Sequence, residues 1–111
     1  MNREIKFRGW FQGINGTEMW VYGYLVKQTN GNWEITNGET SWTVDNVGQF
    51  TGLFDKNGTE IYEGDLVQHD AWDYPFEVFF NQEKARFVCK LKTGLTQYID
   101  YENLVVVGDV F

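Results

Sequence analysis

Apolar and polar residues alternate along this chain with a period of two, and no window holds a helical period beyond a turn or two. Ile5 and Phe7 alternate with Lys6 and Arg8, Trp33 pairs with Ile35, and Trp42 with Val44. Residues 19–27 read Met-Trp-Val-Tyr-Gly-Tyr-Leu-Val-Lys, strand-like with apolar or aromatic side chains at almost every position. The alternation lapses at 44–47, where a short turn or single helical turn is expected. Further strands are expected over 49–54, 59–62, 65–68, 76–80, 85–91 and 104–107. In 85–91 the pattern places Phe87, Cys89 and Leu91 on one face and Arg86, Lys90 and Lys92 on the other.

Asn-Gly pairs stand at Asn15-Gly16, Asn30-Gly31, Asn37-Gly38 and Asn57-Gly58. Asn-Gly supplies the two positive φ angles of a type I′ turn, so each pair predicts a two-residue hairpin. The expected fold is all-β: a meander of short hairpins, then an SH3-like small-barrel-type C-terminal half. Residues 1–111 form a single expected domain, with a soft lobe boundary near Tyr62, where composition shifts.

Composition supports that class. Aromatic residues make up 18% of the 111 positions, and such side chains fit a pleated surface better than a helix. The formal net charge of −7 argues against nucleic acid and anionic membrane as partners, because Lys and Arg supply most of the affinity for phosphate. Cys89 is the only cysteine, which excludes an intramolecular disulfide. The first residues mix charge signs and lack the apolar core of a signal peptide, and no apolar run reaches membrane-helix length. A cytoplasmic location is expected.

Candidate chemistry is sparse. Glu60, Glu63, Asp65, Asp70, Asp73 and Glu77 surround the single histidine, His69, but their spacing matches no metal motif, so a solvated acidic loop is expected. Cys89, flanked on its face by Phe87 and Leu91, reads as a small core residue rather than a nucleophile. Ser41 is the only serine and sits in no hydrolase motif. The run from Gly48 to Gly52 lacks the lysine and the following helix of a phosphate loop. Lys84, Arg86, Lys90 and Lys92 form a basic stripe near aromatics, a pattern that serves single-stranded nucleic acid or merely a soluble edge. No enzyme, cofactor or metal site is expected.

Longer landmarks carry more. The chain opens Arg-Glu-Ile-Lys-Phe-Arg-Gly-Trp from Arg3 to Trp10. Its centre runs from Val47 through Gly48, Gln49, Thr51, Gly52, Asp55, Gly58, Tyr62, Gly64 and Asp65 to Val67, and it closes on Val-Val-Gly-Asp-Val-Phe. In order and spacing these landmarks resemble the YopX family of phages and prophage-bearing bacteria. That resemblance implies a β-rich fold and a bacterial host cytoplasm, and it brings no catalytic residue, cofactor or substrate.

The strand at 19–27 decides the expected mode of action. Met19, Val21 and Leu25 share one face and Trp20, Tyr22, Tyr24 and Val26 the other, so neither face is polar: either the strand is covered on both sides within one chain, or its aromatic face is exposed and pairs with another copy. Tyr and Trp are favoured where a ring is buried at an interface. With the phage setting that the resemblance implies, the expectation is a non-enzymatic accessory protein that binds itself or a host or phage protein. Self-association would run through Trp20, Tyr22 and Tyr24. The alternatives are a nucleic-acid-associated small β-barrel and an acidic DNA mimic acting on a host protein.

Overall fold

The structure, a computed structural model, describes residues 5–91 and 93–111; the calls on Arg3 and Lys92 lie outside the described residues. The fold is all-β. Its strands are β1 (Phe7–Gln12), β2 (Glu18–Lys27), β3 (Trp33–Thr36), β4 (Ser41–Phe54), β5 (Glu60–Tyr62), β6 (Asp65–Gln68), β7 (Phe76–Asn81), β8 (Arg86–Lys90), β9 (Thr96–Gln97) and β10 (Val105–Asp109). Helix is confined, among the described residues, to one 3-10 turn at Tyr101–Asn103. The chain forms two compact units, Met1–Phe50 and Thr51–Phe111, so the compositional shift near Tyr62 falls inside the second.

In the first unit every pairing is antiparallel. β1 pairs β2, β2 pairs β3 and β3 pairs β4, and β4 then returns to pair β1. The return is possible because β4 changes partner partway along. Val44 lies opposite Trp33 of β3, and the next residue, Asp45, lies opposite Trp10 of β1. Asn46, at φ 53°, bends the strand there. The lapse in alternation at 44–47 is therefore a bulge in a continuous strand, and the expected turn or helical turn is not formed. A bulge breaks the period of two without ending the pairing.

Val21, Ile35 and Val44 form the buried core of this unit, with Phe7, Phe11, Leu25, Trp42 and Val47 packed around them. Ile35 lies between Leu25 and Trp42 in register, which brings three strands to one apolar point. Gly9 lets β4 approach, since a Cβ there would lie 2.5 Å from a methyl of Val44.

In the second unit β6 to β10 make an antiparallel sheet in the order β10-β6-β7-β8-β9. Ile61, Val67, Phe76, Val78, Cys89 and Leu104 are its core, and Trp72 stacks on Phe76 with ring centroids 3.9 Å apart. The all-β class holds; among the described residues no pairing joins β9 to β10, and the SH3-like form of this half stays an expectation.

The turns differ from the expected ones. Gly13, Gln28 and Asp55 each donate a backbone N–H to the residue four ahead, at 2.6, 2.8 and 2.8 Å. Their loops therefore hold three residues, and only the glycine of each Asn-Gly pair has positive φ. These are type I turns closed by a glycine bulge rather than two-residue type I′ turns. The asparagine stays right-handed because its side chain caps the turn: Asn15 Oδ1 accepts from the Thr17 N–H and Asn30 Oδ1 from that of Asn32. The Asn37 hairpin does have a two-residue loop, but Gly38 and Glu39 occupy it and Asn37 closes it on Thr40.

Candidate functional site

β2 sorts its side chains as the alternation requires. Val21 is buried and Leu25 packs on the core of the first unit, while Trp20, Tyr22, Tyr24 and Val26 face away from it. Tyr22 is 46% exposed and Tyr24 65%. β1 adds to the same face, because Trp10 lies opposite Trp20 and Arg8 opposite Tyr22. The two indoles meet edge-on with centroids 5.2 Å apart, and the Arg8 guanidinium sits 4.2 Å from the Trp20 ring centre. Arg8 is only 5% exposed, so its charge is held among rings and strands instead of reaching into water.

The outcome is an aromatic face built on the middle of a sheet, anchored by Trp10, Trp20 and Arg8 and left open at Tyr22 and Tyr24. Trp20, Tyr22 and Tyr24 thus share one surface, as their spacing predicts. The contribution of Arg8 and Trp10 was missed. Their own alternation in β1, combined with the register set by the loop after Gly13, was the available signal.

From Thr51 onward the landmark residues of the centre do structural work in the second unit. Asp55 is 5% exposed and its carboxylate takes three backbone N–H groups. Oδ1 accepts from Asn57 and Thr59, each at 2.9 Å, and Oδ2 accepts from Val106 of β10 at 2.9 Å. Burial alone would raise its pKa, but the N–H groups of Val106, Thr59 and Asn57, with the charge of Lys56, hold it below the ordinary 3.8. Thr51 Oγ1 donates to the Ile61 carbonyl at 2.7 Å and accepts from the Leu53 N–H. Tyr62 is buried and its hydroxyl donates to Glu60. Gly52, Gly58 and Gly64 all have positive φ, and the space a Cβ would take at Gly64 is filled by the Phe111 ring. Gly48 and Gln49 lie in β4 opposite Arg8 and Phe7 of β1.

The acidic stretch does not form one solvated loop. Asp65 is 1% exposed and its Oδ2 accepts from the Tyr62 N–H at 2.7 Å, closing the tight turn into β6. His69 Nδ1 accepts from the Ala71 N–H, and its ring lies 5.5 Å from that of Trp72. Among the described residues no three of His, Cys, Asp and Glu converge in a way that would hold a metal ion. Asp65 escaped the sequence because a carboxylate that closes a turn looks the same in a string as one in water.

Cys89 is fully buried in the second core, and burial pushes its thiol up to about 12. The basic stripe is dispersed. Arg86 donates to the Tyr98 hydroxyl at 2.9 Å and stacks on its ring, Lys90 lies 3.9 Å from Glu77, and Lys84 belongs to the turn before β8. Between Arg86 and Lys90, Val88 is only 1% exposed, so that face of β8 is covered rather than a continuous charged surface.

The family model described as YopX protein matches residues 6–111, nearly the whole chain. No curated protein matches it. The chain belongs to the YopX family.

Proposed function

We propose that this member of the YopX family acts by binding and not by catalysis, through contact between the outer faces of β2 in two copies of the chain. One observation carries this: Tyr22 and Tyr24 stand 46% and 65% exposed on a face where Val26, at 45%, extends the apolar surface toward the end of the strand. Such side chains gain most when a partner removes them from water, and Tyr loses little conformational freedom in doing so. Buried Arg8 and half-buried Trp10 and Trp20 hold the face in one geometry before any partner arrives, which lowers the cost of association. In this proposal the setting is the cytoplasm of a bacterial host carrying a phage or prophage. A nucleic-acid partner has less support, since the net charge is −7 and Arg86 and Lys90 are engaged with Tyr98 and Glu77.

Light scattering on a sizing column tests the proposal. An oligomer is expected at about 10–50 micromolar, the range in which a dissociation constant near 1 micromolar gives mostly complex. Tyr22→Glu should dissociate it with the circular dichroism spectrum unchanged. A monomer at those concentrations removes the proposal. A pull-down from host lysate, with and without nuclease, would then separate a protein partner from a nucleic acid.

A further inference from the structure

We propose that Asn15 is the chain's principal site of spontaneous deamidation, and that the fold protects Asn57 from the same reaction. All four Asn-Gly pairs are exposed, and an asparagine before glycine is the pair most open to this chemistry, because no Cβ shields the glycine nitrogen. In the reaction the Gly16 nitrogen gives up its proton to a solvent base and attacks Cγ of Asn15. The new N–Cγ bond closes a five-membered succinimide as the Cγ–Nδ2 bond breaks and ammonia leaves with a proton. Water then opens the ring at either carbonyl, giving aspartate or isoaspartate. One water is consumed, one ammonia is released, and nothing is oxidised or reduced.

Two things slow the attack: a hydrogen bond that holds the glycine N–H, and a loop that cannot leave its turn geometry. The Gly16 N–H reaches the Gly13 carbonyl at 3.3 Å, whereas those of Gly31 and Gly58 reach theirs at 3.0 Å and Gly38 reaches Thr36 Oγ1 at 3.1 Å. Asn15 Oδ1 takes the backbone Thr17 N–H at 3.4 Å, at the limit of a useful bond, and its firmer partner is the Thr17 hydroxyl at 2.9 Å, a side chain that moves with the loop. The corresponding backbone bonds are 3.0 Å at Asn30 and 2.9 and 2.8 Å at Asn37. Asn57 stands at the other extreme. Its own N–H is held by Asp55 at 2.9 Å, Thr59 is held by the same oxygen, and the Lys56 N–H is tied to the Leu104 carbonyl at 3.0 Å. Its loop is clamped at every step, while the loop of Asn15 carries Ile14 fully in water.

The consequence falls on the β1–β2 ribbon. Isoaspartate adds a backbone carbon to the loop that sets the pairing of Gln12 with Glu18 and of Trp10 with Trp20.

The test is incubation of the folded chain at mildly alkaline pH, followed by peptide mapping that separates Asn, Asp and isoAsp at each site. Asn15 should convert first and Asn57 last, and Asn15→Gln should abolish the first acidic species. In denaturant the four rates should converge, since every site has glycine next. Conversion of Asn57 as fast as Asn15 in the folded chain would overturn the proposal. So would an order that survives unchanged in denaturant, because it would then belong to local sequence and not to the fold.

Discussion

Replacing Asp55 with asparagine isolates what this carboxylate does, because the two side chains have the same shape. Asparagine has one acceptor oxygen and one donor nitrogen, and Asp55 has N–H donors on both of its oxygens. If the amide oxygen serves Asn57 and Thr59, the amide nitrogen is turned toward the Val106 N–H, and two donors face each other. A hydrogen bond to a charged group contributes about 1.5–3 kcal/mol, and a donor left unsatisfied in a buried site costs about 1–3 kcal/mol. The turn keeps its acceptor, so the penalty rests mainly on the Val106 link, and Asp55 is too buried for solvent to replace it.

Asp55→Asn should therefore destabilise by about 2–3 kcal/mol, lowering Tm by roughly 10 °C for a domain of this size. Urea unfolding followed at Trp72, the only tryptophan of residues 51–111, reads the second unit directly. Hydrogen exchange at the Val106 amide should accelerate in parallel. The pH dependence has a fixed sign. Because the folded pKa lies below 3.8, the stabilisation is present above that value and is lost as pH falls through the folded pKa. The gap between the two proteins should hold from neutrality to just above 4 and close in stronger acid. A variant within about 0.5 kcal/mol of the parent at neutral pH, with Val106 still protected, would refute the reasoning.

Other perturbations read separate parts of the structure. Cys89 should react with a thiol reagent more than ~100-fold slower in the native state than in denaturant, because only opening of the core exposes it; equal rates would mean that β8 has been placed in the wrong register. Gly9→Ala should cost about 3 kcal/mol by driving a methyl into Val44, whereas Gly58→Ala, with open space around it, should cost only the ~1 kcal/mol of its positive φ. Comparable losses in urea melts of the two variants would remove the close β1–β4 approach. Thr51→Val removes a donor to Ile61 and an acceptor for Leu53 without changing shape, and should lower stability by about 1–2 kcal/mol in the same assay. No measurable change would show that these bonds are matched by water when the chain unfolds.

Alternation and glycine placement marked most of the strands, but not β9 or the continuity of β4. β6 falls on residues 65–68 as expected, and Cys89 is buried with Phe87 as the alternation predicted, although Val88 on the opposite face is buried as well. The outward grouping of Trp20, Tyr22 and Tyr24 follows from the same rule. Longer-range facts had no such trace. The switch of β4 from β3 to β1 at Val44 and Asp45 depends on partners more than thirty residues upstream and on a bulge that breaks the pattern. Asn15, Asn30 and Asn57 were legible as turn residues, but whether two or three residues form the loop is set by the register of the flanking strands. Asp55 and Asp65 are the clearest case. A carboxylate is charged and polar in any string of letters, and only the arrival of the Val106, Thr59 and Tyr62 N–H groups from folded backbone makes its burial favourable.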